Sequence, residues 1–409
     1  MRFKMSLSNK TLVGMIAGAV VGFIVGPKIT AIQIVGDLFL RLLQMAIVPL
    51  IFCTVTSAII NMEDIRKLGR LGSKIFVLFM TTVVAAGTIG LLVARVVSPG
   101  KGLVLTDLPP VKSIAEAPTV TGILTGIIPT NVMQAMSEAN LLQVIVFAIF
   151  SGAAILMLGE SDRARMGRIF QTLTNYIMKV LNIVIETSPY GVFALMAITA
   201  GKYGASVIGP LAQFIGCMYV GLALHLAIVL MGMYWLFVRR NPLTFMKKIS
   251  PIWITSLTTC STKATMPVAM ATCEQDLGIQ KDVVGFTIPL GASTNMDGNA
   301  LWYGVVAIFV SQLVGIELTF SQQVTAVLLG VLMTLGSPGI PGGIFVATTI
   351  YLKTLGLPLE VIGLLAGIFR LIDMGQTTIN VLGTVVVTAI LGHSEKDKAM
   401  PTVSAISRG

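Results

Sequence analysis

The chain is a succession of apolar runs, each about 20 residues or longer, joined by short segments that hold most of the charge. A bilayer core roughly 30 Å thick takes about 20 apolar residues per helical crossing. Backbone groups in that core must be satisfied within the protein, which leaves helices or a closed barrel. The runs show no two-residue alternation, so helices are the reading. Charged residues make up 11% of the chain, against about 25% in a soluble domain. That leaves too little polar surface for an aqueous fold, and the chain reads as an all-α polytopic inner-membrane protein.

The runs fall near residues 11–26, 34–60, 73–97, 119–159 (interrupted at Pro129), 170–200, 207–238, 243–275, 282–313, 321–356 and 358–392. Basic residues alternate between the loops. Arg2, Lys4 and Lys10 precede the first run; Arg66, Lys67 and Arg70 follow two runs later. Arg163, Arg165 and Arg168 come next, then Arg239, Arg240, Lys247 and Lys248. The intervening loops are poor in bases, so the positive-inside tendency places the N-terminus in the cytoplasm. Lys396, Lys398 and Arg408 place the C-terminus there too. The basic start and the run Thr11–Gly26 read as a retained first helix, since no cleavage-like end follows.

Two runs are not ordinary spans. The centre of 243–275 reads Thr255-Ser256-Leu257-Thr258-Thr259-Cys260-Ser261-Thr262-Lys263, and the centre of 321–356 reads Gly336-Ser337-Pro338-Gly339-Ile340-Pro341-Gly342-Gly343. The prolines and glycines of the second cannot continue a helix. Irregular backbone at membrane depth survives only when buried in protein or lining a cavity. Both segments are therefore expected to be re-entrant hairpins, although two full spans would give the same final charge parity. Each precedes a helix with a polar centre, 282–313 and 358–392, so the pattern occurs twice as an inverted repeat. The expectation is eight transmembrane helices plus two re-entrant helical hairpins. Paired broken segments in corresponding halves point to a secondary transporter with its site at mid-membrane.

The polar centres supply that site. Thr294-Asn295-Met296-Asp297-Gly298-Asn299 places a carboxylate and carboxamides where lipid is expected. In the last helix Asp373, Gln376 and Asn380 fall at i, i+3 and i+7, on one face. Arg370 stands one turn before Asp373 and is placed to pair with it. Such residues are costly in a bilayer and mark ion or substrate paths; the bland alternative is a polar cluster tying helices together.

The segments Asn295-Met296-Asp297-Gly298, Pro338-Gly339-Ile340-Pro341-Gly342, Asp373-Met374-Gly375 with Asn380, and Ile128-Pro129-Thr130-Asn131 occur here in a characteristic order and spacing. On these segments, and over essentially its whole length, the chain resembles the dicarboxylate/amino acid:cation symporter family. The resemblance implies that Asp373 receives a substrate amino group. It also implies that Asn380, with Ser261 and Thr262 at the first hairpin tip, holds the α-carboxylate. Lys263, Asn299, Gln376, Thr377 and the second tip, Gly339, Ile340, Pro341 and Gly342, complete the implied pocket. Implied sodium ligands are Thr82, Asn295, Asp297 and Asn380. Backbone carbonyls near Gly291, Ser293, Met296, Thr334, Leu335 and Ser337 belong with them. It further implies a homotrimer whose transport domain moves like an elevator. Residues 1–70 and 113–203 would form the scaffold, 71–112 and 204–395 the moving domain, and 396–409 a cytoplasmic tail.

Several positions depart from the family pattern. Gln376 stands where acidic amino acid carriers have an Arg able to clamp a side-chain carboxylate in bidentate fashion. Asn299 replaces a Thr, Thr384 a sodium-binding Asp, and Val83 a Ser. These changes favour a neutral, polar amino acid and altered coupling: fewer sodium ions, protons, or none. Lys263 replaces a Ser and is placed to act as an internal cation near Asp297 or Asp373, to meet an anionic side chain, or to snorkel to the interface. An acidic amino acid or C4-dicarboxylate coupled to sodium or protons is the alternative. His225 reads as a packed or helix-bridging histidine, Trp302 and Tyr303 as packing aromatics, and the four cysteines as small buried hydrophobes. No nucleophile–base set, phosphate loop, metal-ligand cluster or nucleic-acid module is present, so beyond Na+ or H+ no cofactor is expected. The expected partners are substrate, membrane lipid and further copies of the chain.

Overall fold

The computed structural model describes residues 7–45, 47–60, 65–101, 128–138, 141–204, 208–335, 343–359 and 361–396. Every regular element among them is a helix. In chain order, α1 (Leu7–Val25) leads through a 3-10 stretch to α2 (Gln33–Met45), α3 (Ile47–Ile60) and α4 (Ile65–Val97). Then come α5 (Val132–Ser137), α6 (Leu141–Leu156), α7 (Glu160–Glu186) and α8 (Ser188–Tyr203). The run expected at 170–200 is thus two helices. Pro189, which lacks an N–H, sits in the first turn of α8, where that donor is not needed.

A long rod follows, made of α9 (Ile208–Leu224), a π-helical turn (His225–Leu230) and α10 (Met231–Val238). The first expected hairpin is α11 (Pro242–Lys248), α12 (Ser250–Thr259) and α13 (Thr262–Gln275). Between α12 and α13 the chain reverses on Cys260, in the left-handed region at φ 48°, and on Ser261, whose Oγ caps α13 by accepting from the Ala264 N–H at 3.2 Å. The polar-centred run 282–313 is not one helix. It is α14 (Lys281–Thr294) and α15 (Asp297–Leu313), separated by Asn295 and Met296 with ψ of 83° and 60°. The segment of the second expected hairpin contributes α16 (Phe320–Leu335) and α17 (Gly343–Thr354), and its expected tip, 336–342, lies outside the described residues. Last comes α18 (Val361–Lys396).

Among the described residues, four stretches are long and apolar enough to cross a membrane: Val13–Phe39, Ser73–Val97, Gly209–Val238 and Val361–Ser394. The chain is a multi-pass membrane protein. Of these stretches α18 is the most enclosed, packing against α8, α9, α10, α12, α13, α14 and α15. All of α15 except Gln312 is buried as well. Trp302 of α15 lies edge-on to Phe214 and Phe369, and its Nε1–H donates to Thr348 Oγ1 at 2.9 Å. The polar faces of α15 and α18 therefore meet in the centre of the bundle, away from lipid.

The periphery is held differently. Gly14, Gly18 and Gly22 line the face of α1 that meets α8. A Cβ at any of them would press into the carbonyl oxygen of Pro189, Phe193 or Ala197 respectively. Lipid gives two apolar helices no hydrophobic reason to associate, so they rely on close backbone approach over small residues. Gly18→Leu is expected to force α1 off α8 and cost about 1–3 kcal/mol. Thermal unfolding in detergent would show it as a lowered midpoint, while Val13→Leu, at a position 53% exposed, leaves the midpoint unchanged.

Candidate functional site

The break between α14 and α15 turns side chains and backbone inward together. Asn295 and Asp297 are both 0% exposed. The Thr82 hydroxyl of α4 lies 3.0 Å from its own helix carbonyl at Phe79 and 3.1 Å from Asn295 Oδ1. From the other side, α18 comes close at Gly383, where a Cβ would collide with the Asp297 carboxylate and the Asn295 amide. Only glycine permits that approach. The three candidate cation-site residues Thr82, Asn295 and Asp297 are thus brought together by α4, the α14–α15 break and α18.

Asp297 also has a neighbour that sequence reasoning ranked low. His225, at the start of the π turn and 0% exposed, places Nε2 3.3 Å from Asp297 Oδ2. The ring is not aimed along a hydrogen bond. Among the described residues neither imidazole nitrogen, neither Asp297 oxygen nor Asn295 Nδ2 has a hydrogen-bond partner. Buried polar atoms are nearly always paired, so these oxygens fit a small, hard cation, which takes carboxylate, amide and hydroxyl oxygens. Lys263 is half-buried and, among the described residues, forms no ion pair with Asp297 or Asp373. The histidine, not the lysine, meets Asp297. A lone ionisable residue in mid-span was the signal that should have raised His225.

One helical turn away the substrate candidates assemble. Asn380 bridges α18 to the start of α15: its Oδ1 accepts from the Gly298 N–H at 2.7 Å, and its Nδ2 donates to Asn299 Oδ1 at 3.1 Å. A carboxamide carries two N–H donors, so this bridge leaves one for a ligand. Gln376 is turned inward as well, with Nε2 donating to the Gly298 carbonyl at 3.1 Å. Asp373 accepts from the Thr377 hydroxyl at 3.0 Å, and Arg370 Nη1 stands 3.6 Å from its other oxygen. At the first tip, the Thr262 hydroxyl donates to the Ala292 carbonyl at 3.3 Å, tying α13 to α14. Ser256 of α12 donates to Thr378 Oγ1 of α18 at 3.3 Å, a link not read from the sequence.

The remaining candidates are more scattered. Thr384 is buried, and its hydroxyl donates to the Asn380 carbonyl at 3.2 Å. It also lies against Gly291, where a Cβ would meet it. Thr334 is buried at the end of α16 and donates to its own helix at Val331. Leu335 ends that helix, and Ser293 lies in the last turn of α14. Ser337, Gly339, Ile340, Pro341 and Gly342 lie outside the described residues.

A helical bundle with broken helices, and with carboxylates and amides converging at its centre, defines a membrane transporter class. Comparison with known proteins gives the family. Residues 7–394 match the Sodium:dicarboxylate symporter family, and the chain belongs to it. It is 30% identical to the "Proton/sodium-glutamate symport protein" of Geobacillus stearothermophilus, over 96% of this chain and 95% of that one. It is 32% identical to the "C4-dicarboxylate transport protein" of Laribacter hongkongensis, over 95% and 90%. The "Proton/glutamate-aspartate symporter" of Bacillus subtilis is also 32% identical, over 96% of each. The family is one of symporters, not enzymes.

Because Asn380 satisfies a buried backbone N–H, its loss has a structural cost. Asn380→Ala is expected to destabilise the protein by about 1–3 kcal/mol and to abolish substrate-induced thermal stabilisation.

Proposed function

We propose that this symporter carries a neutral, polar amino acid such as serine, threonine, alanine or glutamine, with cation coupling reduced from the family pattern. The observation that carries the substrate assignment is the state of Gln376. It is 1% exposed, its amide N–H is engaged by the Gly298 carbonyl, and it occupies the position of the side-chain-binding Arg of acidic amino acid carriers. A neutral amide turned toward backbone gives an anionic side chain no bidentate partner. Asp373 takes the substrate ammonium, since such a group in low dielectric requires an anion. Asn380, Ser261 and Thr262 take the α-carboxylate. Gln376→Arg is expected to shift preference toward aspartate and glutamate by tenfold or more, read as competition against labelled serine uptake.

A second reading, an acidic amino acid or C4-dicarboxylate, is favoured by Arg370. Its guanidinium is 17% exposed beside Asp373 and offers a cation at the pocket edge. The curated relatives named above transport such anions by their names. Thermal unfolding with each of the twenty amino acids, succinate, fumarate and malate separates the two, because ligand binding to native protein raises apparent stability. A shift by neutral amino acids alone is expected; a shift by aspartate, glutamate or a C4-dicarboxylate alone overturns the assignment.

Coupling is read from three positions. Thr384 replaces a carboxylate and spends its hydroxyl on the Asn380 carbonyl; Val83 replaces a hydroxyl; and His225 stands against Asp297. We assign the protein to coupling with fewer sodium ions, with protons, or with neither. Uptake into proteoliposomes is expected to show a shallow sodium dependence or a response to a pH gradient. A steep, multi-ion sodium dependence would sink this part of the reading.

The same reading gives the architecture: eight spans and two re-entrant hairpins, both termini cytoplasmic, and a homotrimer in the inner membrane. Residues 1–70 and 113–203 form the scaffold. Residues 71–112 and 204–395 form a transport domain that slides as an elevator, the second hairpin tip acting as gate. The two-residue closure between α12 and α13 and the alternating loop charge support it.

A further inference from the structure

One end of the bundle carries a cavity that the transport site does not use. The beginning of the apolar part of α4, the end of α10 and the end of α18 meet there around a space of about 840 Å³. Its walls include Val77, Leu236 and Phe237, which are 61%, 60% and 48% exposed. These side chains lie on helices long and apolar enough to cross the membrane, so the surface they expose faces hydrocarbon. Ile390 and Leu391 of α18 are also in the lining and are buried.

The rim has the opposite character. Lys74 within α4, Arg239 at the end of α10 and His393 in the last turn of α18 stand around the same opening. Arg239 terminates α10 in the left-handed region at φ 55°, and its side chain is exposed. Lys74 Nζ lies 3.4 Å from Ser394 Oγ, which holds the ammonium over the end of α18. Ser73 adds a hydroxyl to the same rim. The described lining residues contain two bases, a histidine and two serines. A cavity with a basic mouth at the membrane surface and an apolar throat along the hydrocarbon has the polarity of a single phospholipid. Basic pockets between transmembrane helices on the cytoplasmic side take anionic head groups, and the loop following α10 is one of the basic loops.

We propose that this cavity is a binding site for one anionic phospholipid. The phosphate lies between Lys74 and Arg239, and an acyl chain runs along Val77, Leu236 and Phe237. The site is independent of the substrate assignment. A lipid held there ties α4 to the α10 and α18 ends on the membrane side.

The test uses the full-length protein purified in detergent, with native mass spectrometry and thermal unfolding as readouts. Phosphatidylglycerol, phosphatidylcholine with the same acyl chains, and inorganic phosphate are added in separate titrations. Phosphatidylglycerol alone is expected to be retained as one adduct and to raise the unfolding midpoint. The double variant Lys74→Gln/Arg239→Gln is expected to need on the order of tenfold more of it for the same effect. Lys101→Gln/Lys202→Gln, which removes the same charge elsewhere, is expected to bind like the parent. The proposal is overturned if the parent shows no shift or if phosphatidylcholine matches phosphatidylglycerol. It also falls if inorganic phosphate reproduces the shift, or if the two double variants behave alike.

Discussion

A carboxylate with no solvent exposure in the centre of a membrane bundle is the constraint on which this structure turns. An ionised group without partners there is costly. Asp297 is reached from four directions. The α14–α15 break lifts it off a regular helix, and His225 approaches from the π turn. Thr82 supports its neighbour Asn295 from α4, and Gly383 lets α18 come within contact. Each of these is a local defect in an otherwise regular helix: a break, a bulge, a hydroxyl, a missing side chain. The bundle concentrates its irregularities around one charge.

The same economy governs the substrate side. Gly298 is the hub, since its N–H is held by Asn380 and its carbonyl by Gln376. One residue after the break is thereby fixed through both its peptide groups to two residues one turn apart on α18. The amides proposed to meet a ligand are also those that join α15 to α18.

Much of this was legible in the sequence because the bilayer simplifies inference. Long apolar runs located most of the helical stretches among the described residues, and Asp297, Asn295, Asp373 and Asn380 stood out as polar residues in apolar surroundings. What escaped was what periodicity does not encode. The break at Asn295–Met296 carries no proline, and its residues are compatible with a helix, so 282–313 read as continuous. Thr187–Pro189 divides 170–200 by a proline that a short apolar window tolerates. His225 reads as a packed or helix-bridging histidine, but its partner is 72 positions away and only the tertiary fold brings them together. Lys263 reads as an internal cation near Asp297 or Asp373, but His225 lies against the first and Arg370 against the second.

The rod from Ile208 to Val238 carries one more consequence. Its buried positions recur every three or four residues through Leu211, Phe214, Met218, Leu222 and His225. They then wait five residues to Leu230 before resuming at Tyr234 and Val238. The π turn is a phase shift: one inserted residue rotates the downstream half by about 100° relative to a continuous α-helix. Without it, a helix that aims His225 at Asp297 would turn Tyr234 away from Phe245, whose ring it stacks on at 4.0 Å. The extra residue lets a single rod keep two appointments, one with the buried charge and one with the base of the first hairpin. Removing one residue between Leu226 and Val229 would therefore act at a distance. The lesion would be rotational, and it would fall on whichever half of the helix failed to hold its ground.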